Sequence, residues 1–250
     1  MQTLVQAFRL GKTIVVTMLA LWLSAPAPAW AVECRFTHET ATPPSGPEQT
    51  TFITDCPLPL PVEPIWTALQ DFPRLAEKGV RPTEVEYARA LDSEAAKRAV
   101  AARLNSLPLA RKPDVSRLLA LPLDGPLLYE EFYHVNLYFL WGVRRFAADT
   151  SQSAAGIYRL TFEKVDGLSS EAVFRGGFEL TQDGDRSRLR YTLTLSIHEK
   201  LAGEGLLDLL QRAVMGRMYV EGYRTYMKER VEGIVREAQR LGRADGSRGE

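Results

Sequence analysis

The amino-acid sequence predicts an α+β fold in which a curved antiparallel sheet closes over one long C-terminal helix. Two observations carry this prediction. Residues 189–197 alternate apolar and polar side chains directly after Asp183-Gly184-Asp185, a turn sequence typical of a β-hairpin. Residues 206–241 then carry a broad apolar stripe at helical spacing, flanked by Arg and Glu.

The first 31 residues have the features of a secretory signal peptide. Arg9 and Lys12 precede the apolar run 13–23, and Ala29-Trp30-Ala31 supplies small residues on either side of the tryptophan. The run is about a dozen residues, whereas roughly 20 are needed to span a bilayer. We expect cleavage after Ala31 and a periplasmic or secreted protein; an uncleaved anchor is the alternative.

The charge balance argues against nucleic acid as a partner. The whole chain has 31 basic and 31 acidic residues, and cleavage after Ala31 would remove Arg9 and Lys12 from the basic side. Neither form has the positive excess that phosphate backbones attract. The length after cleavage suits one domain with a sizeable core.

Cys34 and Cys56 are the two cysteines of the sequence. In an oxidising compartment an isolated pair usually forms a structural disulfide, which here would tie down an N-terminal extension over residues 32–49. A redox-active pair is disfavoured because the spacing is not C-x-x-C.

The first elements alternate between strand and short helix. The β-branched residues at 50–55 predict a strand. Pro64 suits the first turn of a helix, and Ile65, Trp66 and Leu69 form its apolar stripe. Pro73 is expected to close this helix.

The next segment predicts helices followed by strands. Residues 82–91 fit either a strand or a helix start. Ser93 is expected to cap a helix over 93–107, and Asp114 to cap a short helix ending near Leu121. The strands that follow are predicted at 127–135, 143–150, 156–165, 171–182 and 189–197. Residues 242–250 form a polar tail that we expect to be disordered.

Three stretches resemble the START-like, or helix-grip, superfamily (also called SRPBCC). Residues 62–71, VEPIWTALQD, resemble its opening p-x-x-v-W-x-x-l-x-D helix. Residues 135–146 are similar to its turn into an arginine-bearing strand, without the prolines usual there. Residues 175–180, with the strand at 188–197, are similar to its paired g-x-w-x-l and t-x-l-x-y-x-l strands.

The resemblance implies a helix-grip domain over residues 50–241, with an inserted helical pair at about 92–126. Members of this superfamily mostly hold an apolar ligand between the sheet and the long helix, in clefts with few polar anchors. The residues expected to line such a site are Tyr133, Arg144, Phe146, Tyr158, Phe174, Phe178, Tyr191, Leu193, Leu210, Val214 and Met218.

Arg144 matches the superfamily's strand arginine and has two interpretations. Its planar guanidinium could anchor a ligand carboxylate or phosphate. Alternatively, it could form a structural ion pair with Glu130 or Glu131.

The sequence offers little for catalysis, metals or cofactors. It lacks H-E-x-x-H and C-x-x-C spacings, a G-x-S-x-G elbow and G-x-G-x-x-G. Gly176-Gly177 lies inside a predicted strand, where glycine often marks a bulge. Glu130 and His134 share a strand face and could act as an acid–base pair, whereas Glu131 points to the other face.

Two principal hypotheses follow. The chain is a periplasmic or secreted carrier of an apolar small molecule, with a lipid as the favoured class, or an interaction module whose cavity is filled and which works through the long helix and the insertion. A cyclase or hydrolase using Glu130 and His134 is the third. No cofactor is expected, transient membrane contact is left open, and the oligomeric state is not set by the sequence.

Overall fold

A computed structural model describes residues 32–44, 48–78, 80–107, 114–133, 139–168, 171–197 and 206–246. These residues belong to the compact unit Val32–Glu250. The predicted signal peptide, His134 and residues 247–250 of the predicted tail lie outside the described residues.

Eight strands form one curved antiparallel sheet. They are β1 (Arg35–Ala41), β2 (Gln49–Leu58), β3 (Val85–Ala90), β4 (Leu127–Tyr133), β5 (Phe139–Asp149), β6 (Ile157–Leu168), β7 (Glu171–Asp183) and β8 (Arg186–Ile197). Their order is β1-β2-β8-β7-β6-β5-β4-β3, and every neighbouring pair is antiparallel. The predicted α+β class is confirmed, and the ambiguous segment 82–91 contains a strand.

The helices are α1 (Val62–Gln70), α2 (Phe72–Glu77), α3 (Glu94–Ser106), α4 (Ser116–Ala120) and α5 (Leu206–Gly246), with a 3₁₀ turn at Ser153–Ala155. Helix α5 is the predicted long C-terminal helix, but it ends at Gly246 and not near Leu241. The predicted disordered tail was therefore placed too early, since residues 242–246 continue the helix.

Helix α1 forms where its apolar stripe was predicted. Ile65, Trp66 and Leu69 are buried, and the backbone N–H of Asp71 donates to Thr67 at the C-terminal end. Helix α1 ends at Gln70, shortly before Pro73 as predicted, and a separate helix, α2, begins at Phe72 with Pro73 at its second position. A proline costs no intrahelical hydrogen bond in the first turn.

The start of α3 follows the predicted capping. The backbone N–H of Ala96 donates to the Ser93 hydroxyl at 3.1 Å. Before α4, the Asp114 carboxylate accepts from the backbone N–H and the hydroxyl of Ser116, at 2.9 and 2.6 Å. Both side chains satisfy groups that a helix start leaves unpaired.

The hairpin between β7 and β8 matches the predicted alternation. Leu189, Tyr191, Leu193 and Leu195 are all buried, so one face of β8 lies on the core. Gly184 in the turn has a φ of +62°, a left-handed conformation that suits glycine.

Gly176 and Gly177 do not mark a bulge. The pairing of β7 with β6 runs through both residues, with Phe162 opposite Gly176 and Thr161 opposite Gly177. A Cβ on Gly176 would lie 2.2 Å from the Thr192 carbonyl oxygen. These glycines are needed because neighbouring backbones approach closely, which is another recognised role of glycine within a strand.

The sheet is covered on both faces at the β4–β5 end. The larger core joins the inner face to α1, α2 and α5 through residues such as Phe52, Ile65, Phe178 and Val231. A second cluster joins α3 and α4 to the outer face, where Val100, Leu118 and Trp141 meet. The predicted helical insertion therefore packs as a layer on the outside of the sheet.

The segment predicted as an N-terminal extension contains a strand. Cys34 and Cys56 form the predicted disulfide, and β1 begins at the next residue. Nearly every side chain of β1 is exposed. A strand without a buried face does not need alternating apolar residues, and for this reason the sequence pattern did not predict β1.

Candidate functional site

A buried ion cluster lies between the sheet and α5. Arg144 on β5 and Glu130 on β4 project to the inner face, and Arg144 Nη2 lies 2.5 Å from Glu130 Oε2. Both side chains are almost completely buried. Of the two interpretations of Arg144, the ion pair with Glu130 is therefore present.

Helix α5 supplies the other half of the cluster. Arg230 Nη2 pairs with Glu130 Oε1, so one carboxylate contacts two guanidinium groups. The Tyr226 hydroxyl accepts from Arg144 Nη1 at 2.9 Å and from Arg230 Nη2 at 2.7 Å. Tyr226 and Arg230 are four residues apart, which places them on the same side of the helix.

Aromatic rings enclose the charged groups. The Arg144 guanidinium lies 4.4 Å from the Phe174 ring centroid and 5.5 Å from that of Phe132. The Arg230 guanidinium lies 4.9 Å from the Phe72 centroid. Cations over ring faces at these distances are stabilised by the ring quadrupole, and more strongly when water is excluded.

The three charged groups are ionised at neutral pH. Burial alone would raise the pKa of the Glu130 carboxyl, but the charges of Arg144 and Arg230 and their hydrogen bonds bring it below its ordinary value. Burial alone would lower the pKa of both arginines, but the Glu130 charge raises both pKa values. Two positive groups thus face one negative group, so these three side chains carry a net positive charge.

Five of the predicted ligand residues lie buried in the inner core, namely Phe146, Phe174, Phe178, Tyr191 and Leu193. They pack on one another: the Phe178 and Tyr191 rings stack with centroids 4.3 Å apart. Tyr158 is partly buried against Trp66, at 5.2 Å between centroids. The side chains of Tyr133, Leu210, Val214 and Met218 lie outside the described residues.

Glu130 and Glu131 point to opposite faces of β4, as the strand pattern predicts. On the outer face, Arg103 of α3 donates to both Glu131 oxygens at 2.7 and 2.6 Å, and the Tyr129 hydroxyl donates at 2.8 Å. The Arg103 guanidinium also lies 4.2 Å from the Tyr87 ring centroid. These contacts attach the helical insertion to the sheet.

The geometry of Glu130 bears on the acid–base hypothesis. A carboxylate whose pKa is lowered by two guanidinium groups has no proton to donate at neutral pH. His134, its expected partner, lies outside the described residues.

Arg230 and Tyr226 were not among the site residues predicted from the sequence. The sequence contained a sign that Arg230 is buried, because it shares one helix face with three apolar residues, Met227, Val231 and Ile234. Arginines in α5 were instead interpreted as flanking the apolar stripe.

A groove of about 700 Å³ lies on the outer face of β5 to β8, away from the ion cluster. Small side chains line its middle, at Ala147, Thr161, Gly177 and Thr192, and it is bordered by Arg and Glu residues. Its border is therefore charged with both signs present, unlike the apolar interior in which a ligand was predicted.

Two further findings concern the described part of the chain. It contains no group of three or more His, Cys, Asp or Glu side chains placed to hold a metal ion. Within the same residues, none of the helices combines the length and apolar character required to cross a membrane.

No family model matches the chain, and neither does any curated protein. Among solved structures, a protein from Thermus thermophilus is 13% identical, with a TM-score of 0.47 over 76% of this chain and 98% of the other. The Zhui aromatase/cyclase from Streptomyces is 14% identical, with a TM-score of 0.46 over 86% of this chain and 99% of that one. Human STARD10 is 8% identical, with a TM-score of 0.41 over 84% and 77% of the two chains.

An aromatase/cyclase and STARD10 are thus among the solved structures to which the chain is similar. At these identities the likeness concerns the fold alone.

Proposed function

We propose that the protein is a periplasmic or secreted carrier of an apolar small molecule, with a lipid as the favoured class, held between the sheet and α5. The observation that carries the proposal is the Arg144–Glu130–Arg230 cluster inside an aromatic interior. An interior that is apolar except for a few convergent polar groups is the usual form of a small-molecule site.

The charge of the cluster favours a ligand with an acidic end. One carboxylate faces two buried guanidinium groups, and burial of an uncompensated charge is costly. Arg230 Nε is also buried without a hydrogen-bond partner among the described residues. A ligand carboxylate or phosphate beside Arg144 and Arg230 would supply the missing negative charge and accept the hydrogen bond that Arg230 Nε can donate.

The rest of the ligand would lie against the apolar residues that were predicted from the sequence to line the site. The inner core contains Phe146, Phe174, Phe178, Tyr191 and Leu193, with Tyr158 packed against it, and the Arg144 guanidinium lies over the Phe174 ring. Tyr133, Leu210, Val214 and Met218 are proposed to complete the site.

The proposed compartment rests on two features. The Cys34–Cys56 disulfide fits an oxidising environment, and the first 31 residues have the pattern of a signal peptide.

A specific observation also favours the second hypothesis, an interaction module with a filled interior. The ring stack of Phe178 on Tyr191 and the contacts of Phe162 with both of them occupy the inner core. In that case the long helix and the insertion over residues 92–126 would contact a protein partner.

Fluorescence titration of the delipidated protein with 11-(dansylamino)undecanoic acid separates the two hypotheses. The carrier predicts saturable binding at one probe per chain, and weaker binding of the probe's methyl ester, which lacks the charge. Arg144→Gln should remove the preference for the acid, while Arg159→Gln, at an exposed ion pair with Glu179, should keep it. Binding that does not saturate, or equal affinity for acid and ester, would contradict the proposal.

A further inference from the structure

Strand β1 ends the sheet with an open edge. It pairs with β2, and no other strand of the described residues lies on its far side. Its side chains are exposed except for a half-buried Phe36. The disulfide from Cys34 to Cys56 fixes the residue that precedes it. An exposed edge with free backbone N–H and C=O groups is a template for another strand.

The sequence of β1 complements itself in one antiparallel register. If a two-fold axis passes through Thr37, Arg35 of each copy lies opposite Glu39 of the other. Phe36 then lies opposite His38 of the second copy. Opposite charges and aromatic pairs directly across a strand pair both stabilise the pairing. With the axis at His38, Arg35 would instead face Ala41, and Glu39 would face Thr37.

Arg35 and Glu39 are available for these pairs. Neither forms an ion pair within the described part of the chain. Both Asp55 oxygens accept from Arg188 at 2.6 Å, which is the main cause of the lowered pKa of Asp55; Arg35, opposite Asp55 on β2, contributes to that shift through its charge without forming an ion pair with it.

An aromatic row on the inner face leads to the same edge. The Tyr223 and Phe52 ring centroids are 5.1 Å apart, those of Phe52 and Phe36 are 5.9 Å apart, and those of Phe52 and His38 are 6.1 Å apart. Pairing at the edge would add Phe36 and His38 of a second copy to the end of this row.

We propose that β1 is a homodimerisation edge, at which two copies of the chain pair their β1 strands antiparallel about Thr37 and join their eight-stranded sheets into one. The interface is self-complementary, as a two-fold dimer requires. It uses backbone hydrogen bonds for affinity and the Arg35–Glu39 pairs for register.

A charge swap tests the register. Sedimentation equilibrium of the protein, expressed with its own N-terminal segment, should show a reversible dimer between micromolar and millimolar concentration. Arg35→Glu and Glu39→Arg each create two like-charge contacts and should raise the dissociation constant at least about tenfold. The double variant should restore dimerisation, because its charges are again complementary. A wild-type monomer, insensitivity to the single changes, or failure of the double variant to recover would overturn the proposal.

A cross-link gives an independent test should a charge variant fold poorly. A cysteine introduced by Thr37→Cys would meet its own copy at the axis, so mild oxidation should yield a disulfide-linked dimer. Ala41→Cys, equally exposed but far from the axis, is the matched control and should remain unlinked. Equal cross-linking of the two variants would contradict the register.

Discussion

Glu130 on β4 and Arg230 on α5 form a buried ion pair that joins the sheet to the C-terminal helix across 100 residues of sequence. Arg144 shares the same carboxylate from β5. Glu130 is therefore the point at which three elements of the inner face are held together electrostatically.

Loss of the Glu130 charge should be strongly destabilising. Glu130→Gln leaves Arg144 and Arg230 buried without a counter-ion, and breaking a buried pair in this way costs about 3–5 kcal/mol. Urea denaturation followed by circular dichroism measures the change. Glu179→Gln, at an exposed pair with Arg159, is the control and should cost at most about 1 kcal/mol. If the two substitutions lowered the free energy of unfolding equally, Glu130 would contribute no more to stability than an exposed ion pair does.

The same carboxylate predicts a pH dependence of stability. The pKa of Glu130 is lowered in the folded protein, so its contribution is present above the ordinary value of 4.5 and is lost as pH falls through the folded-state pKa. The stability difference between wild type and Glu130→Gln should narrow below about pH 4.5. Urea midpoints measured at several pH values test this. A difference that stays constant into strongly acidic solution would mean that Glu130 does not titrate as described.

Gly176→Ala should destabilise the sheet, because the added Cβ would lie 2.2 Å from the Thr192 carbonyl oxygen. The paired backbone of β8 cannot move away without breaking its hydrogen bonds. Overpacking of a core typically lowers the free energy of unfolding by about 1–3 kcal/mol. Gly242→Ala in α5 meets no atom within 4 Å and should be neutral or stabilising. Thermal unfolding of the two variants provides the comparison, and an unaffected Gly176→Ala protein would refute the close approach of β7 and β8.

The sequence predicted the elements whose periodicity is local. The capped helix α3 and the alternating strand β8 both contain their own evidence, since Ser93 and the buried face of Leu189 to Leu195 can be recognised without knowledge of their neighbours. Strand β1 could not be recognised in this way, because both of its faces are largely exposed and its structure depends on pairing with β2.

The sequence predicted the part of the candidate site that lies on the sheet and missed the part that lies on α5. Arg144 was predicted as a site residue, and an ion pair with Glu130 or Glu131 was one of its two interpretations; the structure has the pair with Glu130. Arg230 was missed because its partner is distant in sequence, and only the folded chain brings α5 against β4. Arg230 lies between Met227 and Ile234 on the apolar face of the helix, and this position in the sequence could have indicated a buried arginine.

Removal of the disulfide should weaken the N-terminal edge of the sheet. Replacing Cys34 and Cys56 together by alanine frees the loop that they close, with an expected loss of roughly 3 kcal/mol. Thermal unfolding gives the stability change, and hydrogen exchange should show faster exchange in β1 than in β7. If the exchange rate in β1 did not change, the pairing of β1 with β2 would hold the strand in place without the disulfide.

An apolar molecule is proposed to occupy the space between the sheet and α5. Mass spectrometry of an organic extract, taken from the protein purified without detergent, shows whether such a molecule is bound. We expect recovery of about one apolar molecule per chain, with an acidic group. An extract free of any such molecule, together with a crystal structure whose interior is completely packed, would contradict it.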